Sequence, residues 1–563
     1  MTDPDTMGSS PPTARARVDA GESSHNAIPR FSLRLRSPLI IGILILITLF
    51  FGAIRYRLRS MPLERDEGEY AYSGQLMLQG IPPYQLAYNL KLPGTYAAYA
   101  LMLAAFGQTS SGIHIGLILV TALSSLLMYV LASTLFGSIA GLSAAASFSL
   151  LAASPSVMGF EAHATHFVVP AALCGILFLI KGLRSQTRWL LFASGFSSGI
   201  AFLMKQHGVF FALFCLFYLF LEGRRTRRPI RQLIADVLIL AAGFLLPYGV
   251  TCALLYHLGV FHQFWFWTVT YAGEYSRMGL RRGVHAFVEN YGAILRANFL
   301  FWLIALVGLT AALWNRRARR HLGFTASLLL FSCLALCPGA YFRPHYFILL
   351  LPITALLAGI AVAASIEALA APETKRFKYV PAIFFVAVFV FSVWRQHTFY
   401  FSLDPAAAMK TTYGASPFFS ALEIGNYLRQ NAGEDARIAV LGSEPEIYFY
   451  AQRRSATGYL YMYSLIVRHR FTDRMQQELM REVSANRPDY LVYVDVPDSW
   501  GDDRESAPQA YAFLTWLRHF SANNYEVLAM SRLNEPTVRA KTDAADMFAS
   551  KSPAIYLLKR KTE

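Results

Sequence analysis

About eleven long apolar blocks dominate this sequence and limit the folds that are open to it. A helix needs about 20 apolar residues to cross a bilayer, and several blocks are nearer to about 15, so block ends locate span ends only to within a few residues. Charged residues make up 15% of the 563 residues, whereas a soluble domain has about 25%. The pattern predicts a polytopic α-helical membrane protein. The blocks cover residues 38–54, 112–135, 137–153, 167–182, 189–204, 208–221, 233–256, 298–314, 323–338, 346–366 and 379–396.

The net charge of +16 is concentrated in short connections between the apolar blocks. Examples are the sequences EGRRTRRPIR at 222–231 and NRRARRH at 315–321. Positively charged short loops stay on the cytoplasmic side of a membrane. We therefore interpret the charge as a topology signal and not as a nucleic-acid surface. The five cysteines lie in or beside apolar blocks and predict neither disulfides nor a metal site.

The basic loops fall on one side of the membrane only if the weaker apolar block 95–106 does not span it. We therefore predict a juxtamembrane helix there, on the outer surface. Residues 1–36 are rich in Ser, Pro and charge and are predicted to be a disordered cytoplasmic tail. The first block is expected to remain as an anchor. The predicted location is a bacterial inner (plasma) membrane with the N-terminus in the cytoplasm and the larger loops outward, and a eukaryotic reticulum with a lumenal tail would give a similar pattern.

Residues 400–563 change in character, because charge rises and the apolar runs become short. ARIAVLG at 436–442 and YLVYVDV at 490–496 indicate buried strands, and a helix is expected to begin at 443–445. Further predictions are a helix over 508–522 and strands over 525–531 and 554–559. Strands that alternate with helices predict a soluble α/β domain, here on the periplasmic, extracytoplasmic side. Residues 37–399 form the predicted transmembrane catalytic domain.

The first outer loop carries an acidic cluster followed by a lysine turn. The cluster is Asp66, Glu67 and Glu69, and the turn is Lys91-Leu92-Pro93-Gly94. Asp66 can cap a helix with Glu69 as its capping-box partner, and the same position favours an ionised carboxylate that could act as a base. Lys91 either extends to lipid head groups or binds a dedicated phosphate.

Other ionisable residues collect at the outer ends of the apolar blocks. Such residues are functional candidates, although contact with the membrane interface is the alternative. Arginine beside a histidine suits an anion, because its guanidinium binds phosphate through two parallel hydrogen bonds. An aromatic interfacial helix is expected in loop 257–297. The phosphate-binding candidates besides Lys91 are Lys205, Arg343 and His345, with Arg277, Arg281 and Arg282 as further anion contacts, and the acceptor candidates are Tyr70, Glu161, His163 and His166.

The acidic pair, the Lys-x-Pro-Gly turn and the second outer loop after Ser154-Pro155 resemble the GT-C membrane glycosyltransferases. The nearest likeness is to family-39-like enzymes, which are protein O-mannosyltransferases and aminoarabinose transferases of lipid A. The likeness covers roughly residues 38–400 and is most specific over 64–94. It implies that Asp66 is catalytic with Glu67 beside it, and that Lys91 is the motif lysine. The second acid of the family, expected near residues 165–166, has no match, and the nearest acid is Glu161.

The resemblance implies an inverting transfer of a sugar from polyprenyl monophosphate to an acceptor hydroxyl. Asp66 would act as base, with Glu67 orienting, while Lys91 and Arg343 stabilise the charge on the leaving phosphate. No cofactor or catalytic metal is required, although two histidines and a glutamate in the second loop could hold a divalent metal. The expected partners are the lipid-linked sugar, a lipid, glycan or protein acceptor, and membrane lipids, with no nucleic acid.

Two other functions compete with the transferase. A transporter or flippase for lipid-linked sugars would place charged residues deep within its spans, whereas here they cluster at span ends. An envelope-assembly protein that binds a partner through its outer domain is compatible with the same motifs. Activity without residues 400–563 would distinguish an accessory domain from an essential one.

Overall fold

The protein is described here from a computed structural model, which covers residues 37–278, 283–501, 508–533, 538–539, 547 and 553–561. The tail at 1–36, predicted to be disordered, and Arg281 and Arg282 lie outside the described residues. The described residues all belong to one compact unit. The predicted boundary near residue 400 stays a prediction.

Helices occupy every predicted apolar block, and their ends lie within a few residues of the block ends. The apolar helices are Pro38–Arg57, Ser110–Phe136, Ser138–Ala152, Ala164–Ser185, Arg188–Met204, Val209–Arg225, Ile230–His257, Phe299–Trp314, Leu322–Leu334, Leu351–Ala368 and Val380–Arg395. Seven helical stretches among the described residues are long and apolar enough to cross a membrane. An eighth candidate is the pair Gly283–Ala297 and Phe299–Trp314, which is bent by 96°. The count of about eleven spans therefore stays a prediction.

Close approach of helix backbones explains several glycines in the membrane part. A Cβ atom at Gly195 would overlap the backbone of Leu240, and one at Gly243 would overlap the backbone of Phe192. Helices Arg188–Met204 and Ile230–His257 therefore pack backbone to backbone. Small residues at helix contacts are typical of membrane proteins, where packing replaces the hydrophobic driving force between helices.

Shorter helices lie between the long ones. Arg65–Leu78 follows the first apolar helix, and we call it the acidic helix. Pro93–Phe106 is helical as predicted, and its position on the outer surface stays a prediction. The aromatic segment, residues 261–278, is continuously helical. Its three parts are Phe261–Trp265, a π-helical stretch at Phe266–Tyr271, and Ala272–Met278.

A six-stranded sheet organises the C-terminal region. The strands are β1 (Arg437–Leu441), β2 (Arg454–Ser455), β3 (Tyr490–Asp495), β4 (Tyr525–Arg532), β5 (Val538–Arg539) and β6 (Ala554–Arg560). Their order is β2-β1-β3-β6-β4-β5. β1 pairs in parallel with β2 and β3, whereas β6 pairs antiparallel with β3 and β4. The four longest strands lie where the sequence predicts them.

Seven helices connect or cover these strands in the described chain. They are Pro405–Tyr413, Phe418–Asn431, Glu446–Ala451, Tyr463–Ile466, Thr472–Asn486, Pro497–Trp500 and Tyr511–Asn524. The helix at Glu446–Ala451 begins at the predicted start near 443–445, and Tyr511–Asn524 matches the predicted helix over 508–522. The C-terminal region is therefore a mixed α/β fold.

The C-terminal region packs directly on the acidic helix. A Cβ atom at Gly68 would lie 2.5 Å from the backbone nitrogen of Glu446. The rings of Tyr72 and Tyr448 stack with centroids 5.1 Å apart, and Arg65 forms a salt bridge of 3.0 Å with Glu444. This contact brings residues from beyond position 440 to the first outer loop.

Candidate active site

The acidic helix begins two residues earlier than the predicted cap would allow. Glu64 is the N-cap, and its Oε1 accepts a hydrogen bond of 2.9 Å from the backbone N–H of Glu67. In turn, the backbone N–H of Glu64 donates a hydrogen bond to Glu67 Oε2. The predicted capping box of Asp66 with Glu69 is therefore wrong, because both of those carboxylates contact Lys91 instead.

Lys91 lies between two carboxylates of the acidic helix. Its Nζ atom is 2.7 Å from Asp66 Oδ1 and 2.6 Å from Glu69 Oε2. It also lies 4.5 Å from the centroid of the Tyr70 ring, a cation–π distance. Burial alone would lower the pKa of Lys91, but Asp66 and Glu69 raise it well above its usual value. Lys91 is therefore a permanent cation in this site.

The two carboxylates differ in their surroundings. The Asp66 side chain is 16% exposed, whereas that of Glu69 is fully buried. Burial would raise the pKa of Asp66, but Lys91, with His163 and Arg343, holds it below its usual value. For Glu69, burial outweighs Lys91 and raises the pKa. Asp66 is thus the ionised carboxylate that solvent or a ligand can reach.

Hydrogen bonds from two tyrosines fix Glu69 in place. Tyr96 Oη donates to Glu69 Oε1 at 2.5 Å, and Tyr461 Oη donates to Glu69 Oε2 at 3.0 Å. Since Glu69 also contacts Lys91, the tyrosines hold the lysine indirectly. Tyr461 comes from the C-terminal region, which therefore contributes directly to the site.

A central cavity of about 600 Å³ opens beside Asp66. Five of the other predicted residues line it with Asp66, namely Tyr70, Lys91, Lys205, Arg343 and His345. Burial, partly opposed by Asp66, lowers the pKa of Lys205 to about 7. Its Nζ atom lies 4.1 Å from the centroid of the Tyr346 ring. The remaining lining residues are Asn89, Leu90, Ala164, Met204, Gln206, His207, Tyr275, Tyr346 and Tyr463.

Two stacked histidines stand next to Asp66. The rings of His163 and His345 are 4.0 Å apart at an angle of 17°, and His163 Nδ1 is 3.9 Å from Asp66 Oδ2. Both ring nitrogens of His163 and Nδ1 of His345 have no hydrogen-bond partner within the described chain. Burial lowers the pKa of His163 to about 4, so its imidazole is neutral at pH 7.

The same three residues form a group that could hold a metal ion. Each residue offers one ligand atom, and the three atoms, from Asp66, His163 and His345, lie within 4.8 Å of one another. Neutral imidazole and carboxylate suit divalent metals. Lys91, Lys205 and Arg343 line the same cavity, and their positive charge disfavours a cation there. The donor set therefore fits a metal, whereas the charge of the cavity favours an anion.

Five predicted residues among those described do not line the cavity, namely Glu67, Glu161, His163, His166 and Arg277. Glu67 is buried behind Asp66, where its Oε1 lies 3.1 Å from His114 Nε2 and accepts from the backbone N–H of Ala162 at 2.6 Å. Burial, together with Glu67, raises the pKa of Glu161 to about 7. Glu67 thus fastens the loop 154–166 to the acidic helix, and catalytic, acceptor or anion-binding roles for the five stay predictions.

Several residues of the site were not selected from the sequence. Glu69 belongs to the acidic cluster, and its spacing of three from Asp66 could have identified it as a second ligand of Lys91. Tyr461 and Tyr463 carry no sequence signal, because their place beside Lys91 depends on the packing of the whole C-terminal region.

Comparison with known proteins gives one family and several structures. The family described as dolichyl-phosphate-mannose-protein mannosyltransferase matches residues 91–247, which include Lys91, the second outer loop and Lys205. No curated protein matches the sequence significantly. Among solved structures, apo ArnT from Cupriavidus metallidurans aligns with a TM-score of 0.53 at 15% identity, covering 92% of this chain and 97% of that one. The chain therefore shares the fold of ArnT.

Two further structures align over most of their lengths. ArnT from Cupriavidus metallidurans bound to undecaprenyl phosphate has a TM-score of 0.52 at 15% identity, covering 92% of this chain and 97% of that one. The oligosaccharyltransferase AglB from Archaeoglobus fulgidus, in complex with an inhibitory peptide and a dolichol phosphate, has a TM-score of 0.48 at 11% identity, covering 90% of this chain and 74% of that one. The resemblance stated from the sequence is confirmed, and at these identities the likeness concerns the fold.

Proposed function

We propose that this protein is an inverting glycosyltransferase that moves a sugar from a polyprenyl-phosphate donor to a hydroxyl group of an acceptor. The observation that carries the proposal is the composition of the central cavity. A single accessible carboxylate, Asp66, lines it together with three basic side chains, those of Lys91, Lys205 and Arg343. A base beside a set of cations matches a reaction that removes a proton and releases a phosphate.

In the proposed reaction the acceptor oxygen attacks the anomeric carbon while the bond from that carbon to the phosphate oxygen breaks. Asp66 takes the proton of the acceptor hydroxyl. The electron pair of the broken bond stays on the phosphate, where Lys91, Lys205 and Arg343 balance the growing charge. Hydrogen-bond donors and cations that already stand where charge develops lower the activation barrier. Contacts that are equally strong in the ground state and the transition state do not lower it.

The depressed pKa of Asp66 supports the role of base in one respect and opposes it in another. It keeps the carboxylate ionised at every physiological pH, as a base must be, but it also makes the carboxylate weak. Entry of a phosphate would draw Lys91 away from Asp66, because the phosphate competes for the same ammonium group. The carboxylate would then become more basic when the donor is bound.

Names among the similar proteins support the class of donor. The matching family is named for dolichyl-phosphate-mannose, and one ArnT structure is described as bound to undecaprenyl phosphate. Both lipids are polyprenyl phosphates. No metal or cofactor enters the proposed reaction, because the basic side chains of the cavity supply the positive charge.

We further propose an inner-membrane orientation with the N-terminus in the cytoplasm and the cavity and C-terminal region outside. The support is the set of basic connections, such as 222–231 and 315–321, which favour the cytoplasmic side. Labelling of single cysteines by an impermeant reagent in intact spheroplasts tests it. Cysteine at exposed position 435 is expected to react, and cysteine at position 226 is expected to be protected.

The test of the function is release of polyprenyl phosphate from a panel of polyprenyl-phosphate sugars by the protein in liposomes containing crude envelope acceptors. Asp66→Asn is expected to lower turnover by about 10²–10⁴-fold while donor binding persists, as for loss of a general base. Asp435→Asn makes the same chemical change at an exposed site and is the matched control. Full activity of Asp66→Asn, or no turnover of any donor, would overturn the proposal and favour the transporter or envelope-assembly alternative.

A further inference from the structure

A second, smaller cavity lies next to the central one, and we call it the aromatic cleft. About 310 Å³ of space, part of it open to solvent, lies between its walls. Three distant segments form it: the loop before Lys91, the aromatic segment 261–278 and residues 459–464 of the C-terminal region. Seven of its eleven lining residues are aromatic. The lining consists of Tyr88, Asn89, Leu90, Trp267, Tyr271, Tyr275, Tyr459, Leu460, Tyr461, Tyr463 and Ser464.

Contacts behind the cleft hold its rings in fixed positions. Tyr88 Oη donates to Glu482 at 3.1 Å, and Tyr459 Oη donates to Glu478 at 3.0 Å. Trp267 stacks on Tyr88 with centroids 5.6 Å apart and an angle of 21°. Because the hydroxyl groups of Tyr88 and Tyr459 are already bonded to acids outside the lining, these two rings offer carbon surface to the cleft. A ligand would meet a preorganised aromatic wall, so little entropy is lost in ordering it.

The charges around the cleft exclude two classes of ligand. Aromatic walls attract quaternary ammonium groups, but the adjoining cavity contains the cations Lys91, Lys205 and Arg343. An anion, in turn, would find no Lys or Arg among the eleven lining residues, and it would lie near the carboxylates of Glu482 and Glu478, which bond to Tyr88 and Tyr459. The remaining class is a neutral group with both carbon–hydrogen faces and polar edges.

Two polar side chains give the cleft its hydrogen-bonding capacity. Asn89 Oδ1 accepts from the backbone N–H of Leu90 at 2.6 Å, and within the described chain its amide nitrogen has no protein acceptor. Ser464 Oγ donates to the carbonyl of Tyr461 at 3.0 Å and can still accept. A few placed polar groups in a mainly aromatic wall are typical of small-ligand sites. They match the hydroxyl groups at the edge of a sugar ring, whose carbon–hydrogen faces pack on aromatic rings.

The cleft lies next to the central cavity and shares four lining residues with it. Asn89, Leu90, Tyr275 and Tyr463 line both. A ligand in the cleft is therefore next to the cavity that Asp66 lines. This geometry separates the acceptor from the donor phosphate, which the cations of the central cavity attract.

We propose that the aromatic cleft binds a neutral sugar ring of the acceptor, so that the acceptor is a glycan or a glycolipid. The inference rests on the proposed transferase function, and it adds the chemical class of the acceptor. It also gives the C-terminal region a role, because segment 459–464 supplies one wall of the subsite.

The first test compares variants of two neighbouring tryptophans in the liposome assay, with oligosaccharide acceptors. Trp267 is 5% exposed and lines the cleft, whereas Trp265 is 46% exposed and does not. Trp267→Ala is expected to raise the KM for the acceptor at least tenfold and to leave the Kd for the donor unchanged. Trp267→Phe retains a ring and is expected to stay within threefold of wild type, as is the control Trp265→Ala.

The second test measures binding without any transfer. Saturation-transfer NMR with methyl gluco-, manno- and galactopyranosides is expected to show ring-proton contacts in wild type and Trp265→Ala and to lose them in Trp267→Ala. Transfer to a hydroxylated peptide or a sugar-free lipid as efficient as transfer to saccharides, with Trp267→Ala equal to Trp265→Ala, would overturn the subsite but not the transferase. If no donor turns over at all, the transferase fails, and the NMR comparison alone then decides the cleft.

Discussion

The hydroxyl group of Tyr461 donates a hydrogen bond of 3.0 Å to Glu69 Oε2, across 392 residues of sequence. The same Glu69 oxygen lies 2.6 Å from Lys91 Nζ. One buried carboxylate therefore connects the C-terminal region with Lys91. A contact of this kind implies that the C-terminal region positions the site.

Replacing Tyr461 by phenylalanine removes one O–H donor, which Glu69 Oε2 and the backbone carbonyl of Arg65 share. A hydrogen bond to a charged group contributes about 1.5–3 kcal/mol, so we expect kcat to fall about tenfold. The KM for the donor is expected to change little, because Lys91 keeps both carboxylates. Tyr511→Phe, at a tyrosine that is 75% exposed, is the control. Unchanged kcat in Tyr461→Phe would separate the C-terminal region from catalysis.

The close contact at Gly68 gives a second test of the same coupling. Alanine there would place its Cβ atom 2.5 Å from the backbone of Glu446, where no flexible side chain can move aside. We expect Gly68→Ala to lower both the melting temperature and kcat, since overpacking costs about 1–3 kcal/mol. Gly249→Ala lies in an apolar helix with no atom within 4 Å of the new methyl group. That variant is expected to melt at or slightly above the wild-type temperature, and a similar result for Gly68→Ala would contradict the structure.

The fold was largely predictable because its signals are local. Each apolar block forms a helix within a few residues of its predicted ends, since a bilayer demands long apolar helices with internally bonded backbones. The strand at 490–496 was recognisable from its run of β-branched and aromatic residues. The number of membrane crossings does not follow from the apolar blocks alone. Helices such as Ser138–Ala152 have 15 residues, and length alone does not decide whether they span.

The site was predictable only where one segment carries it. Asp66 and Lys91 are 25 residues apart in one loop, and composition singles out both. The capping box begins at Glu64, two residues before the predicted cap Asp66. The prediction considers only the acidic cluster at 66–69, and Glu64 lies outside it. No local pattern places Tyr461 beside Glu69 or stacks His163 on His345. Those contacts result from long-range packing, which periodicity does not report.

Chelation tests whether the group of Asp66, His163 and His345 needs a metal. We expect turnover in EDTA, after dialysis against a chelating resin, to stay within twofold of the untreated protein. The physical reason is that Lys91, Lys205 and Arg343 line the same cavity and already supply positive charge. His345→Gln, which removes one possible ligand, is expected to leave the metal content unchanged by elemental analysis. Loss of turnover that only a divalent ion restores would assign the three residues to a metal site.

The pKa of Lys205 predicts how donor binding depends on pH. Because burial lowers that pKa to about 7, the side chain is charged below pH 7 and neutral above it. A site that requires the charged form binds about tenfold more weakly at pH 8 than at pH 6. We expect the Kd for a polyprenyl-phosphate sugar, measured by titration calorimetry in detergent, to rise by this factor. The donor is a phosphodiester with a constant single charge over this pH range. The change of Kd with pH therefore reports a titrating group of the protein.

Arginine at position 205 separates this explanation from other titrating groups. A guanidinium group stays charged throughout this pH range, so Lys205→Arg is expected to bind the donor with a Kd that is nearly constant from pH 6 to 8. The exposed Lys410 provides the matched control, and Lys410→Arg should keep the wild-type slope. His163 cannot produce the slope, since its pKa of about 4 leaves it neutral over the whole interval. A slope that persists in Lys205→Arg would show that Lys205 does not contact the phosphate, and would leave Lys91 and Arg343 as the cations that hold it.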